Sequence, residues 1–377
     1  MQYRILGKTN EKVSTLGFGC MRFKTIDNKH NQIDEDISIK QIRYAIDNGV
    51  NYIDTAYPYH GGESERLVGK ALQDGYRDKV KLATKLPSWL VNSREDMDKL
   101  LDEQLEKLQT DYVDFYLLHA LKSRYWKQLK ENDVFDFMKK AVKNGKVKHV
   151  GFSFHDDLDL FKEIVDAYDW DFCQIQYNYL DENYQAGKEG LKYARDKGLG
   201  IVIMEPLRGG SLTNDIPNDI QQVWNRADIK RTPAEWALKF LLDQEEVDVI
   251  LSGMNEMEHI KENIKVATET TPNSLTKKEK DLIEEVKEIY NSKMKVKCTS
   301  CGYCMPCPVG VNIPECFTHY NHSFMFGYEK SKTKYNIHVK PESRASKCVQ
   351  CGKCESQCPQ NIKIREKLKD VAKEFGE

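Results

Sequence analysis

Long hydrophobic runs are missing from this sequence. No stretch of its 377 residues approaches the ~20 apolar residues that a membrane-spanning helix needs. The opening residues, MQYRILGKTNEKVS, carry no apolar segment of the secretory kind. A charge excess is missing as well: 57 Lys and Arg stand against 59 Asp and Glu, for a net charge of −2. Both signs are interspersed, which removes the electrostatic footing for a nucleic-acid partner. A glycine-rich phosphate loop is also absent. After the first strand candidate, Gly17-Phe-Gly19-Cys20 does not continue to a third glycine, so a doubly wound dinucleotide-binding sheet lacks its signature. These absences predict a soluble cytoplasmic protein with neither membrane nor nucleic acid as a partner.

What the chain has in excess is cysteine, in one place. Nine of its eleven cysteines fall between residues 298 and 358. The second group, Cys348-x2-Cys351-x2-Cys354-x3-Cys358-Pro359, has the spacing of a bacterial [4Fe–4S] ferredoxin site. The first, Cys298-x2-Cys301-x2-Cys304-x2-Cys307-Pro308, follows the same plan with its last gap one residue short. Three thiolates on a tight loop hold three corners of a cubane, and in two-cluster proteins the Cys-Pro cysteine serves the other cluster. Two clusters with crossed ligation are therefore expected: Cys298, Cys301 and Cys304 with Cys358, and Cys348, Cys351 and Cys354 with Cys307. Cys301, Cys304 and Cys307 also form an equally spaced triplet, which leaves a shifted register open for the first site. Structural zinc and a disulfide framework are the competing readings. Cys316, between the two groups, is a candidate replacement ligand. The stretch Phe317–His338 carries aromatics and three histidines, read as packing around the clusters, with metal ligation as the other reading.

Ahead of the cysteines, short β-rich runs alternate with amphipathic helical patterns. The strand candidates are Val13–Met21, Tyr52–Thr55, Val80–Leu86, Val113–His119, Val147–Ser153, Phe172–Tyr177, Gly200–Glu205 and Val247–Ser252. Thr232-Pro233-Ala-Glu235 reads as a capping box, Asn255-x-x-Glu258 as a similar start, and Thr276-x-x-Glu279 opens a further helix. Eight strand–helix units predict a closed parallel (β/α)8 TIM barrel over residues 1–292. A small, mainly helical dicluster ferredoxin-like domain is expected over 293–377, after the basic hinge Lys293–Lys297.

Catalytic residues of such barrels sit at the C-terminal ends of strands. Asp54 with Tyr59, Lys85 and His119 end or follow the second, third and fourth strands, which brings them to one mouth. The set suits carbonyl reduction. A hydride delivered to a C=O requires a proton for the resulting alkoxide. A tyrosine supplies it if a lysine ammonium lowers its pKa, a carboxylate holds the lysine charged, and the histidine orients the carbonyl oxygen.

Asp54-Thr55-Ala56-x-x-Tyr59, Ala83-Thr84-Lys85 and Phe115-Tyr-Leu-Leu-His119 resemble the Asp–Tyr–Lys–His tetrad of the aldo/keto reductases. Leu16-Gly-Phe-Gly19, Gly61-Gly-Glu63-Ser64-Glu65, Gly151-Phe-Ser153, Gln174-x-Gln176-Tyr-Asn178, Glu205-Pro-Leu-x-Gly209-Gly210 and Glu262-Asn263 follow in family order. With its tail, the chain is similar to the branch of that family carrying a C-terminal [4Fe–4S] ferredoxin-type domain. The resemblance implies an NAD(P)-dependent oxidoreductase with Asp54, Tyr59, Lys85 and His119 as catalytic residues. It implies that Gly19, Cys20, Met21, Asp54, Ser153, Gln174 and Met204 surround the nicotinamide end of the cofactor. Glu205, Pro206, Leu207 and Gly209 would wrap the pyrophosphate, and Gly253, Asn255, His259, Glu262 and Asn263 would line the adenosine end.

There are departures from the family pattern. Phe154 replaces the usual Asn after Ser153, and Met204 stands where many members stack an aromatic ring. Gly253 and His259 replace the Lys and Arg that clamp a 2′-phosphate. NADH is therefore expected to serve at least as well as NADPH, with Lys261 as a possible substitute clamp. Trp89, Tyr125 and Trp126 suggest an aromatic-lined pocket for a small carbonyl or alcohol substrate. Cys20 and Cys173 read as core.

Hydride transfer moves two electrons and each cluster moves one, so either the clusters are uncoupled from the nicotinamide or a flavin joins them. The alternative function is a redox-sensing or electron-transfer module. Its barrel would bind dinucleotide without carbonyl turnover, and its clusters would serve a redox protein partner.

Overall fold

The computed structural model of the chain describes residues 1–29, 31–214, 216–298, 304–358 and 360–377. The strands are β1 (Tyr3–Ile5), β2 (Lys12–Ser14), β3 (Leu16–Gly19), β4 (Tyr52–Asp54), β5 (Lys81–Leu86), β6 (Val113–Leu121), β7 (Val147–Phe154), β8 (Phe172–Gln176), β9 (Gly200–Met204) and β10 (Val249–Ser252). The helices are α1 (Glu35–Asp47), α2 (Glu63–Ala71), α3 (Arg94–Leu108), α4 (Ser123–Glu131), α5 (Val134–Lys143), α6 (Leu158–Ala167), α7 (Gly187–Asp196), α8 (Asn218–Trp224), α9 (Pro233–Leu242), α10 (Met257–Glu269), α11 (Lys277–Ser292), α12 (Ile313–Phe326), α13 (Tyr328–His338) and α14 (Ile364–Phe375).

Strands β3 to β10 form a closed parallel barrel in chain order, with β10 pairing β3. Their register aligns the residues that matter. Gly19 lies opposite Asp54, Lys85 opposite Leu117, Ser153 opposite Gln174 and Gln176 opposite Met204. One rim of strand C-termini thus carries the polar side chains, while Tyr52, Phe115, Leu117, Phe172, Val202 and Val249 fill the lumen behind them.

The expected first strand, Val13–Met21, is two elements. Its first residues pair antiparallel with β1 as a hairpin, and the barrel strand begins only at Leu16. Leu6 and Val13 of that hairpin region join the lumen cluster and plug the barrel's N-terminal end. Gly7, at φ +49°, passes so close to Gly200 that a side chain there would collide with the β9 backbone.

Local signals set the helix starts with mixed fidelity. Thr276 and Glu279 form a reciprocal capping box on α11, as do Ser93 and Asp96 on α3. Thr232 caps α9 through the Glu235 amide, but the Glu235 carboxylate turns to Arg231 at 3.2 Å, so only half of that expected box forms. Asn255 does not cap α10, whose N-cap is Glu256 with no side-chain bond.

The chain divides into two compact units: residues 1–212 with 231–275, and residues 213–230 with 276–377. The second unit is helical, built from α8 and α11 to α14, with a core that includes Ile313, Phe317, Tyr335, Leu368 and Phe375. Among the described residues no helix is long and apolar enough to cross a membrane.

Candidate active site and cysteine pocket

Asp54 ends β4 and Lys85 lies in β5, one strand over. A fully buried ammonium is tolerated only when paired. Lys85 Nζ donates to both Asp54 carboxylate oxygens at 2.7 Å and to the Thr55 carbonyl at 2.8 Å. Burial works against the lysine's charge, but Asp54 and Tyr59 outweigh it, and its pKa sits above the ordinary lysine value. The backbone behind it is fixed by a buried polar relay. Gln104 Nε2 donates to the Lys85 carbonyl at 3.0 Å and to Glu65 Oε1 at 2.6 Å, and the Tyr116 hydroxyl donates to Gln104 Oε1 at 2.8 Å.

Tyr59 follows β4 on a short helical turn, and its ring centroid lies 5.2 Å from Lys85 Nζ. Burial raises the phenol's pKa and Lys85 only partly offsets it, so the expectation of a phenol below its ordinary value is not met. Desolvation of the phenolate is the larger effect, and Tyr59 rests as a protonated donor. His119, in β6, meets the Tyr59 ring edge-on at 6.1 Å between centroids. Burial first, then the Lys85 and His155 charges, hold its pKa well below the ordinary histidine value. It is a neutral imidazole whose buried Nδ1 has no hydrogen-bond partner.

The aromatic expectation divides. Trp89 lies tilted against His119 at 5.2 Å between centroids, with Tyr125 6.4 Å beyond it. Trp126 does not border the site: it is 2% exposed, packs on Phe135 and Trp170, and donates Nε1–H to Glu163 at 2.8 Å. It sits in α4, one helical position from Tyr125, and so points about 100° away from it around the helix axis.

The residues expected at the nicotinamide end fit a carboxamide. The Ser153 hydroxyl accepts from the Ala120 amide at 2.7 Å, which leaves its own proton to donate. Gln174 touches Met204 Sδ through Nε2 at 3.5 Å, and its buried Oε1 has no partner among the described residues. A donor and an orphaned acceptor on neighbouring strands suit an amide. Glu205 follows β9 at positive φ, ahead of Pro206 and Leu207, and Gly209 also takes positive φ. At the far end Asn263 donates to the Ser252 hydroxyl at 3.0 Å, and Glu262 accepts from Thr232. Gly253 and Asn255 lie between β10 and α10, and His259 lies in the first turn of α10. Cys20 is fully buried and its thiol pKa is pushed well up by burial. Met21, next to it, is half exposed.

Sequence reasoning missed Arg22. Its stem lies along Gly253, where a Cβ would stand 3.1 Å from the Arg22 Cβ, and its Nη2 would be 3.5 Å from a Cβ on Gly209. The side chain thus runs from the segment expected at the adenosine end to the one expected at the pyrophosphate, with its guanidinium at Gly209, and among the described residues it has no ion-pair partner. The signal was present as a lone arginine after the Gly-Phe-Gly strand, but a single exposed cation has no pattern until the fold sets it between two glycines.

In the second unit, Cys348, Cys351, Cys354 and Cys307 line one small pocket with Val309, Ile313, Gly352, Arg365 and Leu368. Four thiols around an apolar hollow are the donor set of a cubane cluster. Gln350 donates Nε2–H to Cys348 Sγ at 3.3 Å, and Arg365, paired with Glu355 at 2.8 Å, supplies a cation at the wall. Cys298, Cys304 and Cys358 are partly buried against the same core, while Cys301 lies outside the described residues. Cys316 is absent from the pocket lining. Its thiol contacts the Tyr335 hydroxyl at 3.7 Å and the Ser343 carbonyl at 3.9 Å, and burial pushes its pKa up to about 12. Cys173 is likewise fully buried core in β8.

Known proteins share this architecture. The chain is 28% identical over 294 residues to L-galactose dehydrogenase of Arabidopsis thaliana, covering 71% of this chain and 89% of that one. It is 26% identical over 306 residues to the NADH-specific methylglyoxal reductase of Escherichia coli, covering 69% and 91%. An aldo-keto reductase structure from Bacillus halodurans in its holo form superposes with a TM-score of 0.65 at 26% identity, covering 76% of this chain and 96% of that one. The model of the 4Fe-4S dicluster domain matches residues 297–362. The aldo/keto reductase family model matches residues 15–288, and the chain belongs to that family.

Proposed function

We propose that the protein reduces a small carbonyl compound, or oxidises the corresponding alcohol, with a nicotinamide cofactor, and that its C-terminal segment holds two [4Fe–4S] clusters. The observation that carries the first half is the buried Asp54–Lys85 pair set against Tyr59 and His119 at one barrel rim. A dihydronicotinamide, when bound, supplies hydride. Ser153 and Gln174 would hold its carboxamide, and the Glu205–Ser211 segment with Arg22 its phosphates. Tyr59 gives its hydroxyl proton to the carbonyl oxygen as negative charge develops there. Lys85 stabilises the phenolate left behind, Asp54 keeps Lys85 charged and in place, and neutral His119 orients the carbonyl oxygen. Water then returns the proton to Tyr59. Trp89 and Tyr125 make an apolar wall suited to a small aromatic substrate. NADH is the preferred cofactor in this reading, supported by the absence of a Lys or Arg at positions 253 and 259 and by a relative named as NADH-specific.

In this proposal the aldo/keto reductase segment is residues 1–292, of which 213–230 and 276–292 group with the second compact unit, and the cluster domain is 293–377. Cys348, Cys351, Cys354 and Cys307 would hold one cluster, and Cys298, Cys301, Cys304 and Cys358 the other. These move single electrons, with a redox protein or a bound flavin as the exchange partner. Anaerobic purification from cytoplasm, a visible spectrum, and quantification of iron, sulfide, flavin and nicotinamide test the composition. NADH oxidation with a panel of aldehydes and ketones tests the activity. A colourless zinc protein, or one inert to every carbonyl, would overturn the corresponding half.

A further inference from the structure

A third group of potential ligands lies in the second unit, apart from the cysteine pocket. Glu315 and His319 stand four residues apart on α12, so one helix face presents both. Helix α13 runs back from Gly327 and ends at His338. The His319 Nε2 lies 3.1 Å from Glu315 Oε1, and the His338 Nδ1 lies 3.9 Å from the same oxygen. One ligand atom from each of the three falls within 4.8 Å of the others.

His319 is 2% exposed, yet among the described residues neither ring nitrogen has a hydrogen-bond partner. The 3.1 Å approach to Glu315 is close in distance but is not an aligned hydrogen bond. A buried imidazole left in that condition has given up its hydration with no compensating bond, which a plain packing role does not repay. Its other neighbours are rings: His322 and Tyr335 edge-on at 6.0 Å each, and His338 at 5.3 Å. Cys316, beside it on the helix, is engaged with Tyr335 and Ser343.

We propose that Glu315, His319 and His338 form a binding site for a divalent transition metal of the zinc class, independent of the cysteine clusters. Two imidazoles and a carboxylate are a recognised ligand set for such ions. On a tetrahedral ion with bonds of about 2.0–2.1 Å, ligand atoms stand roughly 3.4 Å apart, and the observed separations of 3.1 and 3.9 Å bracket that figure. His338 is half exposed, which gives the ion an entry path and leaves a fourth position for water.

The test uses the full chain with its iron loaded anaerobically, titrated with Zn2+ alone and followed by metal quantification and zinc-edge X-ray absorption. One zinc per chain is expected beyond the iron, in a nitrogen–oxygen shell near ~2.0–2.1 Å. His338→Ala, at an exposed position, should weaken zinc binding about tenfold or more with iron content unchanged. Glu315→Gln should act in the same direction and guards against a fold-specific effect at one position. A sulfur shell near ~2.3 Å, zinc binding equal in both variants and the parent, or no zinc retained beside the clusters would each overturn the proposal.

Discussion

Lys85 donates to both carboxylate oxygens of Asp54 at 2.7 Å, with neither side chain reaching solvent to any extent. The pair is therefore structural as well as chemical. Removing the carboxylate leaves an ammonium buried in the barrel with neutral partners, the Thr55 carbonyl and the Tyr59 phenol, in place of its counter-charge. Asp54→Leu should lower stability by about 3–5 kcal/mol, the usual cost of stranding one partner of a buried pair. Urea unfolding of the parent and variant measures this, and an unchanged midpoint would show that the lysine finds other compensation.

Tyr59→Phe should behave differently. In the proposed mechanism the phenol acts as charge develops on a carbonyl oxygen, so kcat for carbonyl reduction should fall about 10²–10⁴-fold, while the dissociation constant for NADH stays within a few-fold. Steady-state turnover together with a fluorescence titration separates the two. Wild-type turnover in the variant would remove Tyr59 from the proton-donor role.

Arg22 reaches from Gly253 to Gly209, nearer the expected pyrophosphate than a 2′-phosphate alone. Arg22→Ala should weaken NADH and NADPH by similar factors of about tenfold, the scale of one charge-assisted hydrogen bond. Isothermal titration with both dinucleotides at one ionic strength reads this directly. Selective loss of NADPH would instead make Arg22 the 2′-phosphate clamp that positions 253 and 259 do not provide.

His155, after β7, has its pKa pushed down to about 4, chiefly by burial and then by the Lys122 charge. The folded protein thus favours neutral imidazole, whereas the unfolded chain takes up a proton near pH 6.5. Stability from this group is complete above about pH 6.5 and is lost as the pH falls toward 4. At ~1.4 kcal/mol per pH unit the window is worth roughly 3 kcal/mol. Denaturation midpoints across pH 4 to 7 should show a shallower acid limb in His155→Gln than in the parent.

The cysteine assignments make opposite predictions for two neighbouring residues. Cys307 lines the pocket with Cys348, Cys351 and Cys354, whereas Cys316 is committed to Tyr335 and Ser343. Cys307→Ala should retain about four of about eight irons per chain, and Cys316→Ser should retain them all. Iron and sulfide analysis of anaerobically reconstituted protein distinguishes the pair.

Much of this was legible before any coordinates. The alternation of apolar runs and amphipathic stretches located every barrel strand, because each strand buried on both faces leaves a continuous apolar signature. The positions of Asp54, Lys85 and His119 at strand ends followed from it. Arg22 was not legible, since its meaning depends on two glycines far away in sequence. The hairpin at β1 and β2 was hidden because Val13-Ser-Thr-Leu16 reads as one extended run, and only the change of pairing partner divides it. Trp126 misled for a similar reason: within a helix, adjacent aromatics face different ways, and sequence proximity to Tyr125 carried no information about direction. The phenol of Tyr59 was judged by its charged neighbour, whereas the desolvation that dominates it comes from the whole barrel rim.

The division of the chain has one more consequence. Residues 213–230 fold with the C-terminal helices, although another stretch of the first unit, 231–275, follows them in sequence. The two units are interleaved and not consecutive, so no single protease nick or stop codon parts them cleanly. A polypeptide ended just before Thr276 would still carry Ile220, Val223 and Trp224, all buried in the intact chain, now without α11 to cover them. Such a fragment would be prone to self-association, and a clean separation of the catalytic barrel needs an internal deletion as well as a truncation.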